Sequence, residues 1–404
     1  MSFEDSAVKV LMMGAARVGK TSLLAAMSED AALEEATRGT NLTMIPEYSE
    51  PIQDARRRMN DLFDFTTPHE DGETPKNVFK RFKINKGGTE GYRDFSIKLS
   101  IKGANKASRY AIGFKDIAGE YIDRYADGTL PVDEIAGDGS TKMNAKQLLT
   151  WIKQSDVLLI TIDSILLMEE GGSNDRANRV DDVCNLVTEL CEKNELDKDA
   201  QKKNKLILFV PTKCEKYFHI HLEEIADPAI RNMRRVDIME QMNNRIKEKY
   251  AKIFDYCAEG DRKDLYQLVI TPIVTLGNIE FACYEKDTGG QRSADSMWFK
   301  YCVDDVYKAN GSDKPVRVPQ FCDQPLLYIL YYELLNIQNF KNKLTWWQLL
   351  KLALSDAFFK LVTDKDLIPE MELLKNNIKK NVEKDGWYVS EIVQDPIGMI
   401  KPEE

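Results

Sequence analysis

Gly14-Ala15-Ala16-Arg17-Val18-Gly19-Lys20-Thr21 fills every fixed position of the spacing G-x-x-x-x-G-K-[ST]. Ahead of it, Val8 to Met13 is a short apolar run that reads as a buried strand. Behind it Leu23, Leu24 and Met27 open a helical pattern, with Ser22 in its first turn. Gly14 and Gly19 allow backbone dihedrals that residues with a β-carbon resist, so successive N–H groups can curl around a polyphosphate at the positive end of the helix. In such a loop Lys20 reaches the β- and γ-phosphates and the Thr21 hydroxyl ligates Mg²⁺. The stretch from Gly14 to Ser22 is therefore the first set of candidate binding residues.

Working outward, the helix is expected to run from Thr21 to about Glu35 and to stop near Gly39. Residues 40–51 are polar and Pro-punctuated, and 53–65 show helical spacing with Arg56, Arg57 and Arg58 on that helix. Three consecutive residues cannot share one face, so a solvated surface is the expectation, with one arginine leaning toward the phosphates as the alternative. Residues 66–75 form a loop, and loops carry ligands. Three strand-like runs follow, 78–84, 95–101 and 110–115, separated by Gly87-Gly88 and by Gly103-Ala104-Asn105, which predicts a meander. It delivers Asp116-Ile117-Ala118-Gly119-Glu120. A carboxylate at a strand end can hold the water shell of Mg²⁺, and Gly119 can offer its N–H to a γ-phosphate with little steric cost.

Beyond it, 120–141 is acidic and Gly-rich, with too many turn residues for one helix, and 144–152 reads as helix. The near-continuous apolar run DVLLITID at 156–163 predicts a central parallel strand covered on both faces. A loop at 164–178, an amphipathic helix at 180–191 and a charged connector at 193–205 lead to the next buried strand, 206–210. That strand delivers Pro211-Thr212-Lys213-Cys214-Glu215. A helix over 229–256 and a strand over 268–275 follow, closing on Leu276-Gly277. Residues 283–325 break the alternation. The apolar stretch 325–338 reads as a buried helix too short for a membrane span. Two amphipathic helices are expected over 344–362 and 366–383, then a short irregular tail from Trp387. The pattern predicts an α/β chain with a mostly parallel central sheet.

The net charge of −10 argues against a nucleic-acid-binding face as the main function. Seven cysteines, an odd number without a C-x-x-C pair, read as reduced thiols, and three histidines (His69, His219, His221) with no cysteine pair nearby argue against zinc. No signal-peptide pattern and no membrane-length apolar run is present, which predicts a cytoplasmic chain without a membrane span.

Phosphate loop, D-x-x-G and T-K-x-E, in that order and each at a strand's C-terminal end, resemble the guanine-nucleotide-binding domain of the Ras-like translation-factor class. The resemblance implies a three-layer P-loop NTPase fold over 1–340, with insertions at about 36–92 and 283–325, followed by a helical extension at 341–404. It implies GTP or GDP with Mg²⁺, ATP being the lesser alternative. Glu120 stands where small GTPases usually carry the glutamine that orients the attacking water, so hydrolysis is expected to be slow. Thr212, Lys213 and Glu215 match the base-reading N-K-x-D with two replacements, and Thr275, Leu276 and Gly277 match the loosely defined last motif. For the effector-loop threonine, a ligand of Mg²⁺ and part of the catalytic set with Lys20, Gly119 and Glu120, the first choice is Thr74; Thr40, Thr67 and Thr89 stay open. The long first insertion and the D-x-A-G-E form look most like bacterial GTPase-like proteins, among them double-GTPase families, that accompany multi-protein conflict or signalling systems.

The leading expectation is a GTP-binding switch that meets a protein partner through its switch loops or C-terminal helices. An ATPase or kinase-like phosphotransferase is the runner-up, and a non-hydrolysing scaffold stabilised by nucleotide is the third. The C-terminal helices either dock that partner or cover the sheet, and cover is favoured because exposed Trp pairs are unusual in monomers.

Overall fold

The computed structural model describes residues 3, 6–16, 18–47, 50–61, 63, 79–83, 92–101, 110–132, 143–169, 178–192, 204–218, 228–277, 279–286, 292–301, 317–343, 368–382 and 390–399, and structural statements concern these. The strands are β1 (Val8–Met13), β2 (Leu42–Glu47), β3 (Phe79–Lys83), β4 (Tyr92–Ile101), β5 (Ala111–Ile117), β6 (Val157–Asp163), β7 (Lys205–Thr212), β8 (Tyr266–Ile270), β9 (Ile279–Lys286), β10 (Arg292–Tyr301) and β11 (Glu391–Gln394). The helices are α1 (Lys20–Met27), α2 (Asp30–Ala36), α3 (Glu50–Asp61), α4 (Gly119–Ala126), α5 (Ala145–Gln154), α6 (Ser164–Met168), α7 (Val180–Glu192), α8 (Glu215–Phe218), α9 (Pro228–Lys249), α10 (Ala251–Ala258), α11 (Gln324–Lys343) and α12 (Ile368–Val382).

Eight strands form one mixed sheet in the order β11-β8-β7-β6-β1-β5-β4-β2. β5, β1, β6, β7 and β8 run parallel, and β4, β2 and β11 are antiparallel additions at the two sides. Every residue of β5, β6, β7 and β8 is buried, as parallel strands covered on both faces must be. Phe209 of β7 meets Tyr250 and Phe254 at ring-centroid distances of 5.6 and 4.7 Å, which seats α9 and α10 on the sheet. α11 is buried almost all round over 324–334, and its tyrosine hydroxyls are used: Tyr328 bonds Ser390 and Tyr332 donates to the Asn204 carbonyl, while buried Glu333 accepts from Tyr110. Lys115 of β5 is enclosed by Trp151, Tyr92 and Phe3 at 4.1, 4.3 and 4.9 Å from its ammonium, with Asp94 at 2.8 Å.

The structure corrects several sequence expectations. The first helix is two, because Glu29 is extended; Arg56 of α3 donates to Ala25 O and Ser28 Oγ at the end of α1, so that arginine stabilises a helix terminus. Arg57 and Arg58 pair with Asp54 on their own helix. The stretch expected to be polar loop contains β2, and residues 164–168 form α6, capped by Asp163. The helix at 229–256 breaks at Tyr250. Only β4 and β5 of the expected meander pair; β3 joins β10 and β9 in a separate antiparallel sheet. The tail from Trp387 is not wholly irregular, since β11 pairs with β8. The helix expected at 344–362 lies outside the described residues.

Candidate functional site

The C-terminal edge of the parallel strands gathers the residues singled out in the sequence. β1 leaves the sheet through Gly14, with φ of 144°, where a β-carbon would lie 2.5 Å from both the carbonyl and the hydroxyl of Thr161 on β6. Gly19, with φ of 103°, turns the chain into α1. Lys20 folds back along the loop, and its Nζ donates to Gly14 O and Ala15 O at 2.9 Å each. Burial pushes the Lys20 ammonium below its ordinary value, while Asp116 and Asp123 pull it back up.

Thr21 stands one residue on, and its hydroxyl donates to Asp116 Oδ2 at 2.7 Å. Asp116 closes β5 beside Met12 of β1 and is fully buried, yet its Oδ1 has no hydrogen-bond partner. Burial raises its carboxyl above the ordinary range, and Lys20, Thr21 and Arg93 oppose that. A buried carboxylate with one unengaged oxygen beside a hydroxyl is a donor set that suits a hard divalent cation, which takes oxygen ligands and keeps several waters. Among the described residues no group of three or more His, Cys, Asp or Glu side chains lies together, so a cation here would depend on Asp116, Thr21, water and the ligand's own oxygens.

Gly119 opens α4 against the loop. A β-carbon there would overlap the backbone of Ala15 and Ala16, so glycine is what lets the helix start so close. Glu120 follows, exposed in the first turn, and Asp123 pairs with Arg179 at 2.9 Å.

Thr212, at the end of β7, donates its hydroxyl toward Val18 O at 2.5 Å, with Ile162 O at 3.2 Å as the other acceptor, so this motif grips the glycine loop. Lys213 adopts the left-handed region at φ 59°, and its Nζ lies 2.5 Å from Asp163 Oδ2. Cys214 faces Met242 in the core at 3.8 Å, and burial raises its thiol. Glu215 is buried; its Oε1 accepts from the Thr275 and Leu276 N–H groups at 2.7 Å each and from the Thr275 hydroxyl at 3.2 Å. Gly277, at φ 72°, has no room for a β-carbon against Val318, and Arg317 ties the Thr275 carbonyl to Glu29.

The structure thus brings the Gly14 loop, Asp116, Gly119, Thr212 and Glu215 with Thr275 to one edge of the sheet. Ser22 is half-buried in α1, while Arg17 and three of the four threonines considered, Thr67, Thr74 and Thr89, lie outside the described residues. Thr40 is buried and donates to Thr37 O at 2.8 Å. Sequence reading missed Asp163, Arg93, Asp123 and Arg317. Asp163 carried a signal, since it ends an apolar strand as Asp116 does; the other three carried none. No model of a known protein family matches the chain, and no curated protein matches it.

Proposed function

We propose that the chain binds a magnesium–nucleoside triphosphate, with guanine as its base, and works as a slowly hydrolysing switch that signals to a protein partner in a bacterial multi-protein system. The observation that carries this reading is Asp116, buried with an unengaged Oδ1, held by Thr21 beside a glycine loop that Lys20 lines. Magnesium, when bound, would neutralise phosphate charge and fix the β- and γ-oxygens. Asp116 and Thr21 would hold it; the N–H groups of the loop and Lys20 would hold the phosphates. Gly119, seated on Ala16, would let α4 respond to the last phosphate.

Guanine is supported by the T-K-x-E spacing and by the proximity of Glu215 to the Thr275 loop, whose N–H groups Glu215 itself holds in place. The adenine reading gains from the same contact, because Glu215 Oε1 already has three donors and less of the carboxylate is left for a guanine edge. Titration with fluorescent GDP, GTP and ATP analogues in Mg²⁺ tests the proposal, with Lys20→Ala as control. Guanine binding tighter than adenine by about a hundredfold, near 2.7 kcal/mol, and lost in the control, is the expected outcome. Equal or adenine-favoured binding would move the chain to the ATPase reading, and no binding would leave the scaffold.

A further inference from the structure

Arg93 is the second residue of β4 and sits directly opposite Asp116 of β5. Residues paired across antiparallel strands share a face, with β-carbons about 5 Å apart. The face here is the one on which Thr21 reaches Asp116 and the Phe95 and Phe114 rings meet at 5.8 Å. The next pair along, Asp94 with Lys115, belongs to the opposite face and is closed by its own ion pair. Because β5 pairs with β1 through Asp116 and Met12, Arg93 stands at the edge where the Gly14 loop leaves the sheet.

The other cations described at this edge have partners in the chain. Lys20 gives two N–H bonds to Gly14 O and Ala15 O, and Arg179 is held by Asp123 and Asp182. Arg93 is half-buried, and among the described residues its guanidinium makes no hydrogen bond and no ion pair. A planar cation with five donors and no partner is fitted to a phosphate's oxygens. The need for one is raised by Glu120, whose position in the first turn of α4 adds negative charge near the same edge.

We infer that Arg93 binds the terminal phosphate of the ligand held by the Gly14 loop, an inference that rests on the phosphate reading of that loop. It distinguishes triphosphate from diphosphate by supplying a guanidinium that only the longer chain reaches.

Calorimetric titration with magnesium tripolyphosphate and magnesium pyrophosphate, neither of which carries a base, tests this on the wild type, Arg93→Ala and Arg93→Lys. Arg93→Ala is expected to weaken tripolyphosphate binding about tenfold or more and to leave pyrophosphate within about twofold, since charge-assisted hydrogen bonds are the strong ones. Arg93→Lys should restore part of the loss. An equal loss for both ligands would show Arg93 acting through Asp116 or through folding, and no loss would show it idle; either overturns the inference. A wild type that binds neither polyphosphate defeats the phosphate reading and this inference together. GTP and ATP bound equally, with the tripolyphosphate difference intact, defeats only the guanine assignment.

Discussion

Glu215 gives one oxygen to two backbone N–H groups and a hydroxyl, while burial raises its carboxyl against the pull of those bonds. A group buried in this way loses little by losing its charge and much by losing its acceptor. Glu215→Gln keeps the acceptor, so its stability at pH 7 should equal or exceed that of the wild type; Glu215→Ala should lose about 2–4 kcal/mol by leaving the donors unpaired. Urea denaturation of both checks it, and an equal loss in the two variants would mean that the charge matters more than the acceptor. At this scale the sequence disclosed much. The spacing of Gly14, Gly19, Lys20, Thr21, Asp116, Gly119 and Thr212 located residues that the fold gathers at one edge. It did not disclose Arg93 or Asp123, because strand register sets Arg93 opposite Asp116 and helix packing brings Asp123 to Arg179, neither of which is written in local pattern.

α5 begins with a reciprocal cap: the Asn144 side chain accepts from the Gln147 N–H at 2.7 Å, and the Gln147 side chain accepts from the Asn144 N–H at 3.2 Å. Asn144→Ala should lower stability by about 1 kcal/mol, read from the same denaturation curves, and no change would mean that packing of Leu148 and Ile152 alone holds the helix. Elements with strong periodicity or long apolar runs, such as β6, β7 and α11, were legible because burial on both faces leaves few polar residues in them. The breaks after Met27 and at Tyr250 were not, since contacts from outside the helix accompany each: Arg56 at the first and Phe209 at the second. β2 and β11 were missed because each is a short strand at the side of the sheet with incomplete burial; β3 was legible as a strand, but its sheet was not, because its partner β10 is far along the chain.

Across the whole molecule, α11 links distant parts: its first residue, Gln324, donates its N–H to Phe321 O, its middle meets Tyr110, and Tyr328 reaches Ser390 beside β11. Asp323, next to Gln324, has its carboxyl pushed up to about 7 by burial, from an ordinary 3.8, and Glu35 adds to this. The folded chain then holds that proton more tightly than the unfolded chain does. The stability this contributes is complete below about pH 4 and is lost as pH rises toward 7. Asp323→Asn should flatten the dependence of stability on pH across that window and raise stability at pH 8 by about 1–2 kcal/mol, a value discounted for the residue's partial exposure. Denaturation midpoints from pH 4 to 8 would show it, and a parallel profile for the two proteins would place the titration elsewhere.

At the far side of the sheet, Leu99 of β4 donates its N–H to Tyr110 O, away from β2, and it lies opposite Met44. By strand alternation the N–H groups of Leu42 and Met44, and the nitrogen of Pro46, point away from β4. Thr40 Oγ1 takes the first, and proline has no hydrogen to offer at the last. Among the described residues of this margin, another copy would find one backbone donor in β2, at Met44, where a templating strand needs several in series. Among the described residues, the border that carries exposed Ile45 is thus a poor template for sheet growth.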